Sequence, residues 1–285
     1  MADASEYELL KTLDEPPAAR AGPGLGWSIV AVLFVVALAA AAYVVFGRRS
    51  PPPEQAAAQR GVKVTTRDQP LGSAPPADAL PPLNESDALV RELVSRISSH
   101  PQLAAWLATD DVVRRFAIIV DNVAQGRTPA KQMPMNRPSA AFRVVDGTNG
   151  PVIDSRGYER YDTLAAAAAS LDPEGVARTY GTLKPRIEDA ARELGPTGFD
   201  RTLERAIVLL LQTPAIEDPI RVEPKGIGYR FADPELEKLT AAQKQLLRMG
   251  PRNVRQVQSS LRAIARELGI PAERLPVPHA DGGTR

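Results

Sequence analysis

Cysteine is absent from the 285 residues, and histidine occurs only at His100 and His279. The first absence removes disulfides, thiol nucleophiles and thiolate metal sites. The second leaves little with which to build a zinc centre or a serine–histidine relay. An excess of one charge is lacking too: 35 Lys and Arg face 34 Asp and Glu. A general nucleic-acid binder is normally more basic, so no nucleic-acid partner is expected. There is no GxSxG, no P-loop, no GxGxxG opening a helix, no HExxH and no EF-hand loop. The commonest enzyme signatures are thereby missing, and no cofactor or metal is expected. Length alone fits one or two domains plus tails.

What the chain does have is one long uncharged run. Trp27 to Phe46 reads WSIVAVLFVVALAAAAYVVF, 20 residues without charge or proline. At 1.5 Å per residue it reaches about 30 Å, the thickness of a bilayer core. Trp27 opens it, and Tyr43 and Phe46 close it before Gly47-Arg48-Arg49, which suits aromatic belts at both interfaces. Ala37-Leu38-Ala39 and Ala39-Ala40-Ala41 resemble signal-peptide cleavage sites. Residues 1–26, however, form an acidic tail (Asp3, Glu6, Glu8, Asp14 and Glu15 against Lys11 and Arg20). A signal peptide wants a short positive start, so an uncleaved anchor is expected, with the lipid bilayer as partner through residues 27–46. Arg48, Arg49, Arg60 and Lys63 beyond the run favour a cytoplasmic domain by the positive-inside rule. The proline-rich spacer favours a route through the periplasm. The expectation leans periplasmic, from the bacterial inner membrane.

Residues 47–83 hold eight prolines and few large apolar side chains. Such a stretch cannot offset the entropy of ordering itself and is expected as an unpacked spacer. Its extended reach is about 115 Å, and its size as a coil about 35 Å.

Residues 84–275 read as a single helical domain with two short β-hairpins. Val90, Leu93, Val94 and Ile97 recur at helical spacing behind Asn84 or Ser86, and Pro101 starts a short helix. Thr109 or Asp110 is expected to cap the helix carrying Val112, Val113, Phe116, Ile119, Val120 and Val123, and Gly126 to end it. A Pro-rich loop, Arg127 to Ala141, leads to a hairpin whose turn is DGTNG. One helix is expected over Ser155–Leu171. Another, opened by Asp172-Pro173-Glu174, should run to Leu194 with a kink at Pro185. Phe199–Gln212 is an apolar helix. Ile220–Glu223 and Ile227–Phe231 form a second hairpin around Pro224-Lys225-Gly226. Helices at Pro234–Leu239, Ala241–Met249 and Pro251–Leu268 follow, with Thr240 and Gln243 as a capping box. Residues from Pro276 onward are expected to be disordered.

The segments LPPLNESDALVRELVSRISSHPQLAAWLATDDVVRRF, VDNVAQGRTPAKQMP, RPSAAFRVV, YERYD, TLKPRIEDA, PKGIGYRFADPELE and QKQLLRMGPRNV carry a resemblance. Over roughly Leu80 to Ile270 the chain is similar to the bacterial family called domain of unknown function 3014. That resemblance implies an amino-terminal anchor, a Pro/Ala-rich spacer and one domain, in agreement with the layout above. It implies no activity and transfers no catalytic residue.

Two groups of side chains are candidates for binding. Lys238 to Arg266 contains Lys244, Arg248, Arg252, Arg255, Arg262 and Arg266 and no acid before Glu267. On the last helix Arg252, Arg255, Arg262 and Arg266 fall within an arc of about 80°, opposite Val254, Val257, Leu261, Ile264 and Leu268. Such an arc suits phospholipid headgroups, an anionic envelope polymer or an acidic envelope protein, and equally an ordinary solvated helix face. Lys131, Arg137, Lys225 and Tyr229 lie in Pro/Gly-rich loops and could converge or scatter. Tyr158 and Tyr161 read as packing residues, and Asp110-Asp111 as first-turn acids. Glu188, Asp189 and Glu193 are the carboxylates a glycosidase would need across a cleft. The expected function is a membrane-tethered binding or scaffolding protein of the bacterial cell envelope. The alternatives are an envelope-polymer hydrolase and a structural spacer without ligand. Nothing in the sequence sets the oligomeric state.

Overall fold

Apolar residues three and four apart decide the architecture, because each such stripe needs another to cover it. The computed structural model describes Leu71 and residues 80–129, 142–195, 198–217, 219–226 and 228–277. Within them are nine α-helices: α1 Asp87–Ser95, α2 Pro101–Leu107, α3 Val112–Ala124, α4 Asp162–Ala169, α5 Pro173–Arg192, α6 Phe199–Leu211, α7 Pro234–Lys238, α8 Ala241–Leu247 and α9 Pro251–Glu267. Two antiparallel hairpins, β1 Val144–Gly147 with β2 Gly150–Ile153 and β3 Val222–Lys225 with β4 Gly228–Phe231, complete the fold. The mainly helical reading with two hairpins holds. Among the described residues no helix is long and apolar enough to cross a membrane. Residues 27–46, most of the spacer, Lys131, Arg137 and His279 lie outside the described residues.

The main core is the meeting of α3, α5, α6 and α9. Val112, Phe116, Ile119, Val120, Tyr180, Leu183, Leu203, Ile207, Val254, Val257 and Leu261 are all buried there. Phe116 and Tyr180 both pack on Phe199, at ring separations of 5.3 and 6.3 Å. A smaller core lies under the hairpins: Ile153, Ile220, Val222, Phe231, Leu236 and Leu247. The hairpins join edge to edge, with the Ile153 N–H donating to Ile220 O at 2.9 Å and a bridge between Val152 and Arg221. α8 links the two cores. The Gln243 side chain, tied to Thr240 in the expected capping box, also donates to Leu209 O of α6 at 3.1 Å.

Several boundaries differ from the sequence reading, each for a physical reason. α3 is not capped by Thr109 or Asp110. Asp111 adopts a left-handed φ of 55°, and the Asp87 carboxylate of α1 accepts from the N–H groups of Asp111 and Val112, both at 2.9 Å. The stretch expected as one helix over Ser155–Leu171 divides into a 3-10 segment, Ser155–Tyr161, and α4. The Asp154 carboxylate opens that 3-10 segment by accepting from the Arg156 N–H at 3.0 Å. As expected, α5 continues through Pro185, giving up the bond to the Gly181 carbonyl while burying Leu183 and Ile187. The second hairpin pairs Pro224 with Tyr229 and Lys225 with Gly228, so Pro224 and Lys225 belong to β3 and not to the turn.

Both ends of the domain reach further than expected. Pro276 is held by the Arg262 guanidinium, which donates to its carbonyl at 2.6 Å. Upstream, Arg186 donates to the carbonyls of Leu80 and Pro81 at 3.1 and 2.7 Å. Leu71, placed by sequence in the unpacked spacer, is only 6% exposed and joins the main core.

Gly250, between α8 and α9, has φ of 84°, and a Cβ there would overlap the Tyr158 ring. Gly250→Ala is therefore expected to cost roughly 2 kcal/mol or more, combining backbone strain with a steric clash. Gly228→Ala, where a Cβ meets nothing within 4 Å, is the control. Urea melts of both variants check this, and equal midpoints would refute the assigned constraint.

Candidate functional site

The basic arc of α9 does not survive as a free stripe. Burial of Val254, Val257, Leu261 and Ile264 does turn the arginines outward. Once there, however, Arg255 pairs with Glu217 and Arg262 is folded onto Pro276. Burial pushes the Arg262 guanidinium pKa down. Arg252, its side chain 82% exposed, stands 3.5 Å from Asp162, and Arg266 is exposed near the far end of the helix. Arg252 lines a cavity of about 300 Å³ at the head of α9, together with Tyr158, Asp162, Glu217 and Asn253. Asn253 braces that cavity, donating to Tyr158 O at 3.2 Å and Asp162 Oδ1 at 3.0 Å.

Lys244 and Arg248 separate from the arc because they belong to α8 and its C-terminal cap, which pack beneath the hairpins. There they meet two of the loop candidates. Lys225 and Tyr229 sit on opposite strands beside the turn of the second hairpin. Lys244 Nζ is 3.1 Å from Glu237 Oε2, and Lys225 Nζ is 4.0 Å from the other oxygen. Glu237 also accepts from the Phe231 N–H at 3.2 Å. The Arg248 guanidinium lies 5.0 Å from the centroid of Phe231. Arg160 lies 4.8 Å from the Tyr161 centroid and 5.5 Å from that of Phe142. Phe142 packs on Tyr229 at 5.9 Å. Members of both candidate groups thus converge on one surface of cations and rings, with Tyr229 42% exposed at its edge.

Burial sets the electrostatics of this cluster. Desolvation lowers the Arg248 pKa, opposed by Tyr161 and Glu237 and assisted by the charge of Arg160. Arg248 Nη1 is buried without a hydrogen-bond partner. For Glu237, burial pushes the pKa up, but the bonds from Lys244 and the Phe231 N–H, with the charges of Lys244 and Lys225, hold it below its ordinary value.

Sequence reasoning missed Arg160, Phe142, Tyr161, Phe231 and Glu237. The strings YERYD and PKGIGYRFADPELE contain four of these five, but their meeting requires the contact between hairpins and α8. The carboxylates considered for hydrolysis are engaged in holding the fold. Glu188 accepts from the Phe199 N–H at 3.3 Å, Asp189 pairs with Arg186 at 2.6 Å, and Glu193 accepts from Arg114 at 2.9 Å. His100 caps α2 through Nδ1, 3.3 Å from the Gln102 N–H. Among the described residues no group of three His, Asp or Glu is placed to hold a metal.

At neutral pH Lys244→Met is expected to cost about 1–3 kcal/mol, because it leaves the Glu237 carboxylate short of its nearest cation. Arg248→Met should stay within about 1 kcal/mol of wild type, since it removes an imperfectly satisfied buried cation. Glu237 has a depressed folded-state pKa, so its contribution is present above the ordinary glutamate range near 4.3 and is lost as pH falls through the folded-state value. The Lys244→Met penalty should therefore shrink on acidification. Urea titrations from pH 7 to 3 check this, and a pH-independent gap would refute the ion pair's role.

The family model described as Protein of unknown function (DUF3014) matches residues 112–265. No curated protein and no solved structure matches the chain. The matched stretch begins with α3 and ends in the last turn of α9, taking in both hairpins and the cation–ring cluster between them and α8. Covering more than half of the sequence, it places the chain in the Protein of unknown function (DUF3014) family.

Proposed function

We propose that the chain is a membrane-tethered binding or scaffolding protein of the bacterial cell envelope. Its domain engages an acidic protein or an anionic polymer through the hairpin cluster. The tether rests on the Trp27–Phe46 run, which is uncharged and long enough for a bilayer core. The observation that carries the binding reading is the charge of the cluster. Arg160 and Arg248 lie against aromatic rings, and Lys225 and Lys244 flank Glu237 beside them. Cations held against rings and partly withdrawn from water act more strongly on an approaching anion than the same cations in bulk solvent. Arginines and aromatics in one patch are also the residue types that anchor interfaces. The domain is assigned to the periplasmic side because a proline-rich spacer follows the anchor.

Alkaline carbonate extraction of bacterial membranes tests the tether. The full chain should stay in the pellet, and deletion of residues 27–46 should release it. Full-length, unprocessed chain in the soluble fraction would overturn the tether. The binding surface is tested with polyglutamate and the detergent-solubilised full chain. Binding should weaken with salt and fall about 10-fold in Lys225→Glu/Tyr229→Ala, whose side chains are exposed. Wild-type protein indifferent to polyglutamate would sink the acidic-partner reading and leave the tether untouched.

A further inference from the structure

Leu71 is held in an unusual way for a residue of a proline-rich stretch. Its side chain is buried in the main core. Its N–H donates to Asp200 Oδ2 at 3.1 Å, and its carbonyl accepts from Lys184 Nζ at 3.1 Å. Both backbone polar groups of one residue are therefore read by side chains, one from α5 and one from the first turn of α6. Neither belongs to a helix or sheet ladder.

The groups doing the reading also hold one another. Lys184 Nζ lies 2.5 Å from Asp200 Oδ2, and the Tyr180 hydroxyl donates to Asp200 Oδ1. The Tyr180 ring is fixed by stacking on Phe199, and Lys184 Nζ sits 5.7 Å from its centroid. None of these contacts requires Leu71. Burial first, then the charge and hydrogen bond of Asp200, raise the Tyr180 pKa well above its ordinary value, so the hydroxyl keeps its proton and remains a donor. Lys184 and Asp200 keep some exposure, 13% and 25% of their side chains.

We propose that Tyr180, Lys184 and Asp200 form a peptide-binding site for a leucine-bearing segment, and that Leu71 of the same chain is its resident occupant. A clamp set in advance spends little on ordering when a peptide arrives. The acceptor and donor read the main chain whatever the neighbouring side chains are, and the apolar recess reads leucine. This division of labour, with backbone contacts for affinity and a side-chain pocket for specificity, is a general mode of peptide recognition. Leu71 is tied to the domain through residues 72–79, and a link that short gives an effective concentration in the millimolar range. A modest contact is then filled in cis, and a free peptide gains the site only when Leu71 leaves it. The inference stands apart from the membrane tether and from the hairpin cluster.

The test uses the detergent-solubilised full chain and a fluorescent synthetic peptide with the sequence of residues 66–76, TRDQPLGSAPP. Leu71→Asp should bind the peptide at least ~10-fold more tightly than wild type, whose site is already filled. Binding should vanish in Leu71→Asp/Lys184→Met and for a peptide with Asp in place of the leucine. A natively melting Leu71→Asp chain that binds no better than wild type would overturn the proposal. Hydrogen exchange of the wild-type chain gives a measurement independent of any variant. The Leu71 amide should exchange faster than the α5 amides, and faster still with excess peptide. Exchange as slow as α5 and unmoved by peptide would make Leu71 an ordinary part of the core and overturn the site.

Discussion

The rotation of α9 about its own axis is the constraint from which most of the domain follows. Val254, Val257, Leu261 and Ile264 are fully buried, against α4, α5 and α6. Burial of side chains of this size is worth roughly 1.5–3 kcal/mol each, far more than any single surface ion pair. The helix therefore cannot turn to suit its arginines. Its head must approach the Tyr158 ring, which leaves room only for glycine at position 250. Asn253 is carried inward to the Tyr158 carbonyl and Asp162. The arginines face outward, and whichever acids the neighbouring segments supply then decide what each one does.

That hierarchy explains why the basic arc and the hairpin cluster have different characters. Outward-facing Arg255 and Arg252 meet Glu217 and Asp162 in solvent. Such pairs contribute little and are screened by salt. Lys244 and Arg248 sit on an element that is covered, so their charges are partly withdrawn from water and their partners matter more. The Arg248 guanidinium over Phe231 and the lysines around Glu237 are the consequence of closing two small hairpins over α8. A two-stranded hairpin has little stability alone. The second core, with Phe231 and Leu247 at its centre, is what holds both hairpins in place.

Local chemistry was legible in the sequence, and long-range partnership was not. Asp172 before Pro173 and the Thr240–Gln243 box both cap the helices they announce. DGTNG makes the first hairpin turn. Each signal lies within four residues of what it controls. The cap of α3 comes instead from Asp87, more than 20 residues away, so a search near Asp110 could not find it. Position 224 misled for another reason. Proline suggests a turn, but an edge strand tolerates it, and Pro224 pairs with Tyr229 inside the hairpin. The candidate site followed the same division: Lys225 and Tyr229 were visible as a loop pair, whereas Arg160 and Phe142 enter only through tertiary packing. Leu71 was hidden most completely, because composition argues from averages and a single leucine among prolines has no weight in an average.

The placement of Leu71 changes what a spacer can do on the proposed tether. On that proposal, a docked Leu71 would leave residues 47–70 between anchor and domain. A released Leu71 would leave residues 47–79. At 3.1 Å per residue the limiting reach moves from about 75 to about 100 Å. The mean span of any flexible linker scales only as the square root of its length, so it would change far less than that limit. Docking at Asp200 thus acts on the furthest point the domain can touch far more than on where it usually sits. A partner anchored near the outer limit would feel the latch, and one close to the bilayer would not.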